Sequence, residues 1–251
     1  MIALSCLVLA LVYLGECSFK VHNGHSFNSW DDVKIRFVVA LGGKETCTGS
    51  LVSSQWILTA SHCICKAQPQ ISYAKLRQIN TWDSGPTKIQ ITEHHQHPKY
   101  DKCRQVSGHD AAMLKMEKAI DVKVEQMLIA SLANIKRMPS GSAVIMIGYG
   151  YDKGGDAGVL RQGTSEVTEC PENKYPYNPI CLKPAGKGKE RQYIRAGDSG
   201  GPMVVKNSNN GYSVAAVVSG HEEIQFTEHY IMIYASVGNN LKFIQQYLQQ
   251  A

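Results

Sequence analysis

Charge is thin in this sequence, and neither sign dominates. Asp, Glu, Lys and Arg make up 19% of the residues and leave a net charge of +5. The stretch richest in cations, residues 183–195, is interrupted by Pro184, Gly186 and Gly188. A nucleic-acid interface needs a basic stripe or face, so nucleic acid is excluded as a partner and the stretch reads as a solvated loop. No Asn-x-Ser/Thr sequon occurs, so N-glycosylation is not expected. Repeats of solenoid period and low-complexity segments are absent. Beyond the first fifteen residues, no apolar run approaches the length of a membrane span. Histidines cluster once, in His94-His95-Gln96-His97-Pro98, without a cysteine or carboxylate in ligand pattern. That cluster reads as a solvated loop, and neither metal nor cofactor is expected.

What stands at the start is an apolar run, residues 1–15, followed by Gly15-Glu16-Cys17 with small residues at the two positions a signal peptidase reads. Residues 1–17 are read as a secretory signal; a buried N-terminal helix is the competing reading. The mature protein is then expected to be extracellular and free of the membrane. Export sets the meaning of the cysteines. Cys6 and Cys17 leave with the signal, and Cys47, Cys63, Cys65, Cys103, Cys170 and Cys181 remain. An even number in an oxidising compartment suggests three disulfides, with the pairing open. Zinc is the competing reading, against which Cys63-Ile64-Cys65 is tighter than ligand spacing.

With 251 residues, the chain has room for one large β domain or two small ones. Short β-rich runs fall at 37–41, 50–52, 56–59, 87–92, 111–116, 143–147, 203–206, 214–219 and 230–237, punctuated by Gly, Asn or Pro. That rhythm argues an all-β barrel or sandwich. Only the last stretch has helical periodicity: Leu241, Ile244, Tyr247 and Leu248 share a face, with Gly238-Asn239-Asn240 as the expected cap. Residues 130–142 are the candidate boundary between two β halves.

Three short blocks carry chemistry. Gly197-Asp198-Ser199-Gly200-Gly201-Pro202 is too rich in Gly and Pro for a helix or strand interior. It makes a tight loop whose one nucleophilic side chain is Ser199. A serine hydroxyl needs a base. Leu58-Thr59-Ala60-Ser61-His62-Cys63 offers His62 after an apolar strand, and Gly108-His109-Asp110-Ala111-Ala112-Met113-Leu114 offers Asp110 at the head of another. Alone, such a His is usually structural and such an Asp a turn residue. Together, in the order His, Asp, Ser, they match a nucleophile, its base and the carboxylate that fixes the tautomer.

These blocks resemble those of the chymotrypsin/trypsin family of secreted serine proteases, and the resemblance covers nearly everything after Lys20. It implies two six-stranded antiparallel β-barrels with a C-terminal α-helix, and His62, Asp110 and Ser199 as the catalytic triad. It implies an oxyanion hole from the N–H groups of Gly197 and Ser199, and Ser219 as the serine that hydrogen-bonds the triad aspartate. It implies a zymogen in which residues 18–20 form a short propeptide, 21–251 the protease domain, and a freed Val21 amine pairs with Asp198. Cys47–Cys63 and Cys170–Cys181 match two family bridges. Cys65 and Cys103, in loops flanking the cleft of that fold, are expected to pair. Two other family bridges are missing: Val144 and Val205 stand at the ends of one, and Arg195 at one end of the other.

The primary specificity pocket departs furthest from the pattern. Trypsin-like members have an aspartate six residues before the nucleophile; here it is Tyr193. His221 and Met232 replace small pocket-wall glycines, and Gly220 replaces a tryptophan. Without a carboxylate, a substrate Arg or Lys would be buried unpaired, so trypsin-like specificity is not expected. Either Tyr193 occupies the pocket or it swings to the surface; occupation is the expectation. Two readings follow: a secreted serine endopeptidase of unusual specificity, or a protease scaffold that binds as a decoy or inhibitor of a host protease cascade. The pattern, with its Lys20-Val21 start, is also similar to the mite group 3 allergen proteases and their scabies-mite paralogues. The expected partners are a protein or peptide substrate, host proteins or protease inhibitors, and the chain is expected to be a monomer.

Overall fold

The computed structural model describes residues 21, 24–65, 70–83, 87–101, 103, 105–151, 158–186, 191–224 and 229–249. The expected signal, residues 1–17, and the expected propeptide, residues 18–20, lie outside the described residues. After a two-residue strand β1 (His25–Ser26), six strands follow: β2 (Val38–Gly43), β3 (Cys47–Leu51), β4 (Trp56–Thr59), β5 (Ile71–Lys75), β6 (Lys88–Gln96) and β7 (Ala112–Met116). They close a barrel in the order β2-β3-β4-β7-β6-β5. β8 (Ser131–Leu132) is short. Then come β9 (Ala143–Gly148), β10 (Arg161–Thr168), β11 (Ile180–Pro184), β12 (Pro202–Lys206), β13 (Tyr212–Ile224), β14 (His229–Ser236) and helix α1 (Val237–Leu248). Pairing of β9 with β10 closes a second six-stranded barrel, β9-β10-β11-β14-β13-β12. The fold is the all-β, two-barrel architecture with one C-terminal helix. Among the described residues no helix is long and apolar enough to cross a membrane.

Small barrels fill their interiors with side chains from alternate strand positions. β10 alternates buried and outward residues along its length, and its inward set is Arg161, Gly163, Ser165 and Val167. Such a half-polar strand lacks an apolar run, which is why β10 escapes a reading based on apolar clusters. The first barrel's core includes Ile57, Leu58, Met113 and Leu114, all fully buried. Each such side chain contributes about 1.5–3 kcal/mol from burial.

Two expectations need correction. His94, His95 and Gln96 are strand residues of β6, and His97 is buried, so this is no solvated loop. His94 Nε2 meets the Ile71 carbonyl at 2.7 Å, and His95 Nε2 meets Glu93 at 2.8 Å. The helix cap is Ser236, whose hydroxyl accepts from the Asn239 N–H (3.2 Å); Gly238, Asn239 and Asn240 lie inside the first turn. Asn240 is buried there because its amide donates to the carbonyls of Gly108 and Ser236. Phe243 joins Ile244 on the buried face.

The three disulfides are Cys47–Cys63, Cys65–Cys103 and Cys170–Cys181, with Cα separations of 6.5, 5.5 and 5.2 Å. Where the family has a fourth bridge, Met203 pairs with Met146 and Val204 with Ile145. Val144 is buried in the second core, and Val205 packs against that core.

Candidate active site

Thr48 on β3 ties the two barrels together. Its N–H donates to the Ser199 carbonyl (2.8 Å), and its hydroxyl donates to the Gly197 carbonyl (2.9 Å) while accepting from the Tyr149 N–H (3.1 Å). The Ser199 loop is therefore anchored to the strand that carries Cys47. Cys63, bridged to Cys47, has its sulfur 3.8 Å from the Ser199 carbonyl oxygen. His62 immediately precedes it, in a 3₁₀ turn, Ser61–Cys63, that follows β4. The sulfur contact sets the Ser199 backbone against the residue next to His62.

Asp110 is fully buried and holds His62 at two points. Its Oδ1 accepts from the His62 backbone N–H (2.9 Å), and its Oδ2 lies 2.7 Å from His62 Nδ1. Ser219 donates its hydroxyl to the same Oδ2 (2.7 Å) and accepts from the Ser107 N–H (3.1 Å). Bound this way, Nδ1 carries the hydrogen and Nε2 is left as the basic atom. Burial opposes a charge on the ring, but the charge and hydrogen bond of Asp110, helped by Glu45, hold the His62 pKa above 6.5. One contributor was hidden in the sequence. Ser61, where the family block has Ala, is fully buried, donates to the Ala111 carbonyl (2.6 Å) and accepts from the His97 N–H (3.3 Å). It staples the His62 turn to the residue after Asp110. Its only signal was the departure from the motif.

The Ser199 loop needs its glycines. Gly197 and Gly200 have φ of +94° and +76°, a region disfavoured for side chains. A Cβ on Gly200 would sit 2.0 Å from Thr59 Oγ1, and one on Gly197 would sit 2.9 Å from Gly150 Cα. The Gly201 N–H donates to the Asp198 carbonyl (2.8 Å) and the Gly200 N–H to that of Val218 (3.0 Å). Among the described residues, neither the Gly197 nor the Ser199 N–H meets an internal acceptor.

Asp198 is buried beneath this loop. Its carboxylate accepts from the Gly150 N–H (2.8 Å) and the Arg195 N–H (2.9 Å). Burial raises its pKa to about 6 against those two bonds and the nearby Arg161 and Arg195 charges. Arg161, itself fully buried, donates from Nη1 to the Gly150 carbonyl (2.9 Å). Val21 is buried in the same second-barrel core as Met146 and Ile194.

At the expected specificity position, Tyr193 packs on Tyr230 (centroids 4.6 Å apart, 45°), and Tyr230 stacks on His221 (4.8 Å, 15°). The Tyr230 hydroxyl donates to the Ile194 carbonyl (2.8 Å), which fixes the middle ring. Met232 is fully buried with its sulfur 3.4 Å from the Ile194 N–H. Tyr230 was missed in the sequence because nothing in its local spacing points at Tyr193. Gly220 lacks a side chain for a visible reason: a Cβ there would lie 2.5 Å from Val106 Cγ1.

The protein-family description "Trypsin" matches residues 25–244. The chain belongs to the trypsin family. Cercarial protease of Schistosoma mansoni is 30% identical over 83% of this chain and 83% of its own length. Trypsin of Saccharopolyspora erythraea is 30% identical over 68% of this chain and 77% of its own. Vitamin K-dependent protein C of Mus musculus is 27% identical over 82% of this chain but only 46% of its own length. The family this chain belongs to is one of serine-protease hydrolases that act on proteins.

Proposed function

We propose that this chain is a secreted serine endopeptidase that hydrolyses peptide bonds through an acyl-enzyme on Ser199. The observation that carries the proposal is the array of His62, buried Asp110 and Ser219, with bonds of 2.7 Å on both sides of one carboxylate oxygen. In this reading His62 Nε2 takes the Ser199 proton as the hydroxyl attacks and returns it to the leaving amine. Asp110 fixes the ring and offsets its charge. The N–H groups of Gly197 and Ser199 receive the oxyanion. Cleavage after Lys20 frees the Val21 amine, which pairs with Asp198 and relieves a buried carboxylate. Kinship with the mite group 3 allergen proteases, resting on the motif blocks and the Lys20-Val21 start, belongs to the same proposal.

The ring stack Tyr193–Tyr230–His221 favours a closed primary pocket. It also keeps a second reading in play, a binding protein or decoy on a protease scaffold, because triad geometry and substrate access are separate requirements. The test is a diverse peptide library exposed to the protein cut after Lys20, with Ser199→Ala as control. Cleavage that is lost in the control and does not fall after Arg or Lys supports the proposal. Cleavage after Arg or Lys overturns the closed pocket. An intact library favours the binding reading.

A further inference from the structure

Beside the nucleophile loop lies a second cleft, of about 220 Å³, walled by Leu41, Tyr73, Lys75, Trp82 and Tyr151. We propose that it docks a polypeptide segment carrying an aromatic or large aliphatic residue next to a carboxylate, and that this contact selects the protein's polypeptide ligands in place of the Tyr193 pocket. Its part in choosing substrates rests on the reading of Ser199 as nucleophile; the docking itself does not.

The cleft is a built feature. The Lys75 ammonium donates to the Thr81 carbonyl (2.6 Å) and clamps the turn that presents Trp82. The same turn is sewn to the second barrel: the Thr81 N–H donates to the Gly158 carbonyl (2.7 Å), and the Leu160 N–H to that of Ile79 (2.6 Å). Two glycines let the walls close in. A Cβ on Gly158, at φ +87°, would meet Thr81 Oγ1 at 1.9 Å, and one on Gly42 would meet Tyr73 Cζ at 2.5 Å. Both flanks connect to the candidate catalytic elements. Thr46 at the rim precedes Cys47, and the Tyr151 N–H donates to the Ala196 carbonyl (2.9 Å), one residue before Gly197. A polypeptide reaching Ser199 passes within reach of it.

The lining dictates the occupant. Three aromatic residues converge on a volume suited to one large side chain, with Trp82 78% and Tyr151 45% exposed. Rings grouped around one concavity form an apolar anchor site rather than scattered surface residues. The charge nearby is positive: Lys75 lines the cleft, and Lys88 sits 3.9 Å over the Tyr73 ring. Among the described residues, no carboxylate lines it. An acidic group beside the anchor is thus complemented, and a basic one is repelled.

The chain carries its own reporter. Of its three tryptophans, Trp30 and Trp56 are buried, so a ligand-dependent change in emission reports on Trp82. The probes are short Gly/Ser peptides bearing Phe-Asp, Phe-Lys or Ala-Asp, added to the Ser199→Ala protein. Phe-Asp shifts the emission to the blue and saturates, and the other two bind about tenfold or more weakly. Tyr151→Ala weakens Phe-Asp binding about tenfold. Lys75→Arg preserves binding, whereas Lys75→Gln weakens it and flattens its salt dependence. No saturable response up to millimolar peptide, or equal responses to all three, overturns the proposal. Fluorophosphonate labelling of the unmutated protein reports separately on Ser199. Labelling without a peptide response sinks the docking cleft; a peptide response without labelling leaves the cleft standing and removes the nucleophile.

Discussion

Acid should unfold this protein partly through one buried histidine. His97 is 6% exposed. Its ring stacks on His109 (4.3 Å, 7°) and meets Phe243 edge-on (4.9 Å, 67°), and its Nδ1 accepts the Lys99 N–H (3.1 Å). A proton on Nδ1 would set donor against donor. Burial first, then the charges of His109 and Lys99, hold its pKa at about 4 instead of 6.5. The folded state therefore binds fewer protons than the unfolded chain between those values. Stability from the neutral ring is complete above pH 6.5 and is lost as pH falls towards 4. At about 1.4 kcal/mol per pH unit across that window, the loss is about 3 kcal/mol. Asp198 works in the opposite sense. Its pKa is raised from 3.8 to about 6, so its burial costs least at low pH, and stability rises as pH falls through that window. The two would mask each other in a single curve. Urea unfolding of the parent and of His97→Asn from pH 7 to 4 separates them, since Asn keeps an acceptor near Nδ1 and does not titrate. The parent should lose about 3 kcal/mol more than the variant across that range. Parallel losses would refute the reasoning.

Three further outcomes are expected. Ser61→Ala removes a buried hydroxyl bonded to the Ala111 carbonyl and the His97 N–H, which stay bonded to each other at 3.1 Å, and should cost about 1 kcal/mol by urea unfolding. Replacing Cys65 and Cys103 together by Ser opens a loop closed across a separation of 38 residues, and should cost about 3–4 kcal/mol, read as a lower Tm. Ser219→Ala removes a hydrogen bond that spreads the Asp110 charge, so the His62 pKa, already above 6.5, should rise further when followed by NMR.

The all-β class and the three motif blocks were legible because they are written locally, and the two-barrel arrangement came from the resemblance those blocks carry. A loop dense in glycine can serve few purposes, and its φ values of +94° and +76° explain why Gly197 and Gly200 are what they are. The apolar strands that precede His62 and follow Asp110 announced themselves by composition. What escaped was set by distant partners. β10 carries Arg161, Gly163 and Ser165 inward, so no apolar run marks it. Tyr230 matters because a ring 37 positions earlier, Tyr193, packs on it. The helix is capped by Ser236 rather than by Gly238-Asn239-Asn240 because the Ser236 hydroxyl accepts from the Asn239 N–H. His97 looked like part of a polar cluster until the stack with His109 and Phe243 enclosed it.

The central claim is that Ser199 is an activated nucleophile. The direct measurement is mass spectrometry of the protein, cut after Lys20, following exposure to a small fluorophosphonate that does not need the Tyr193 pocket. The account predicts one adduct, on Ser199, formed in the parent, lost in Ser199→Ala and at least about a hundredfold slower in His62→Ala, as expected when a general base is removed. A parent protein that takes up no label, or that labels equally without His62, would contradict it.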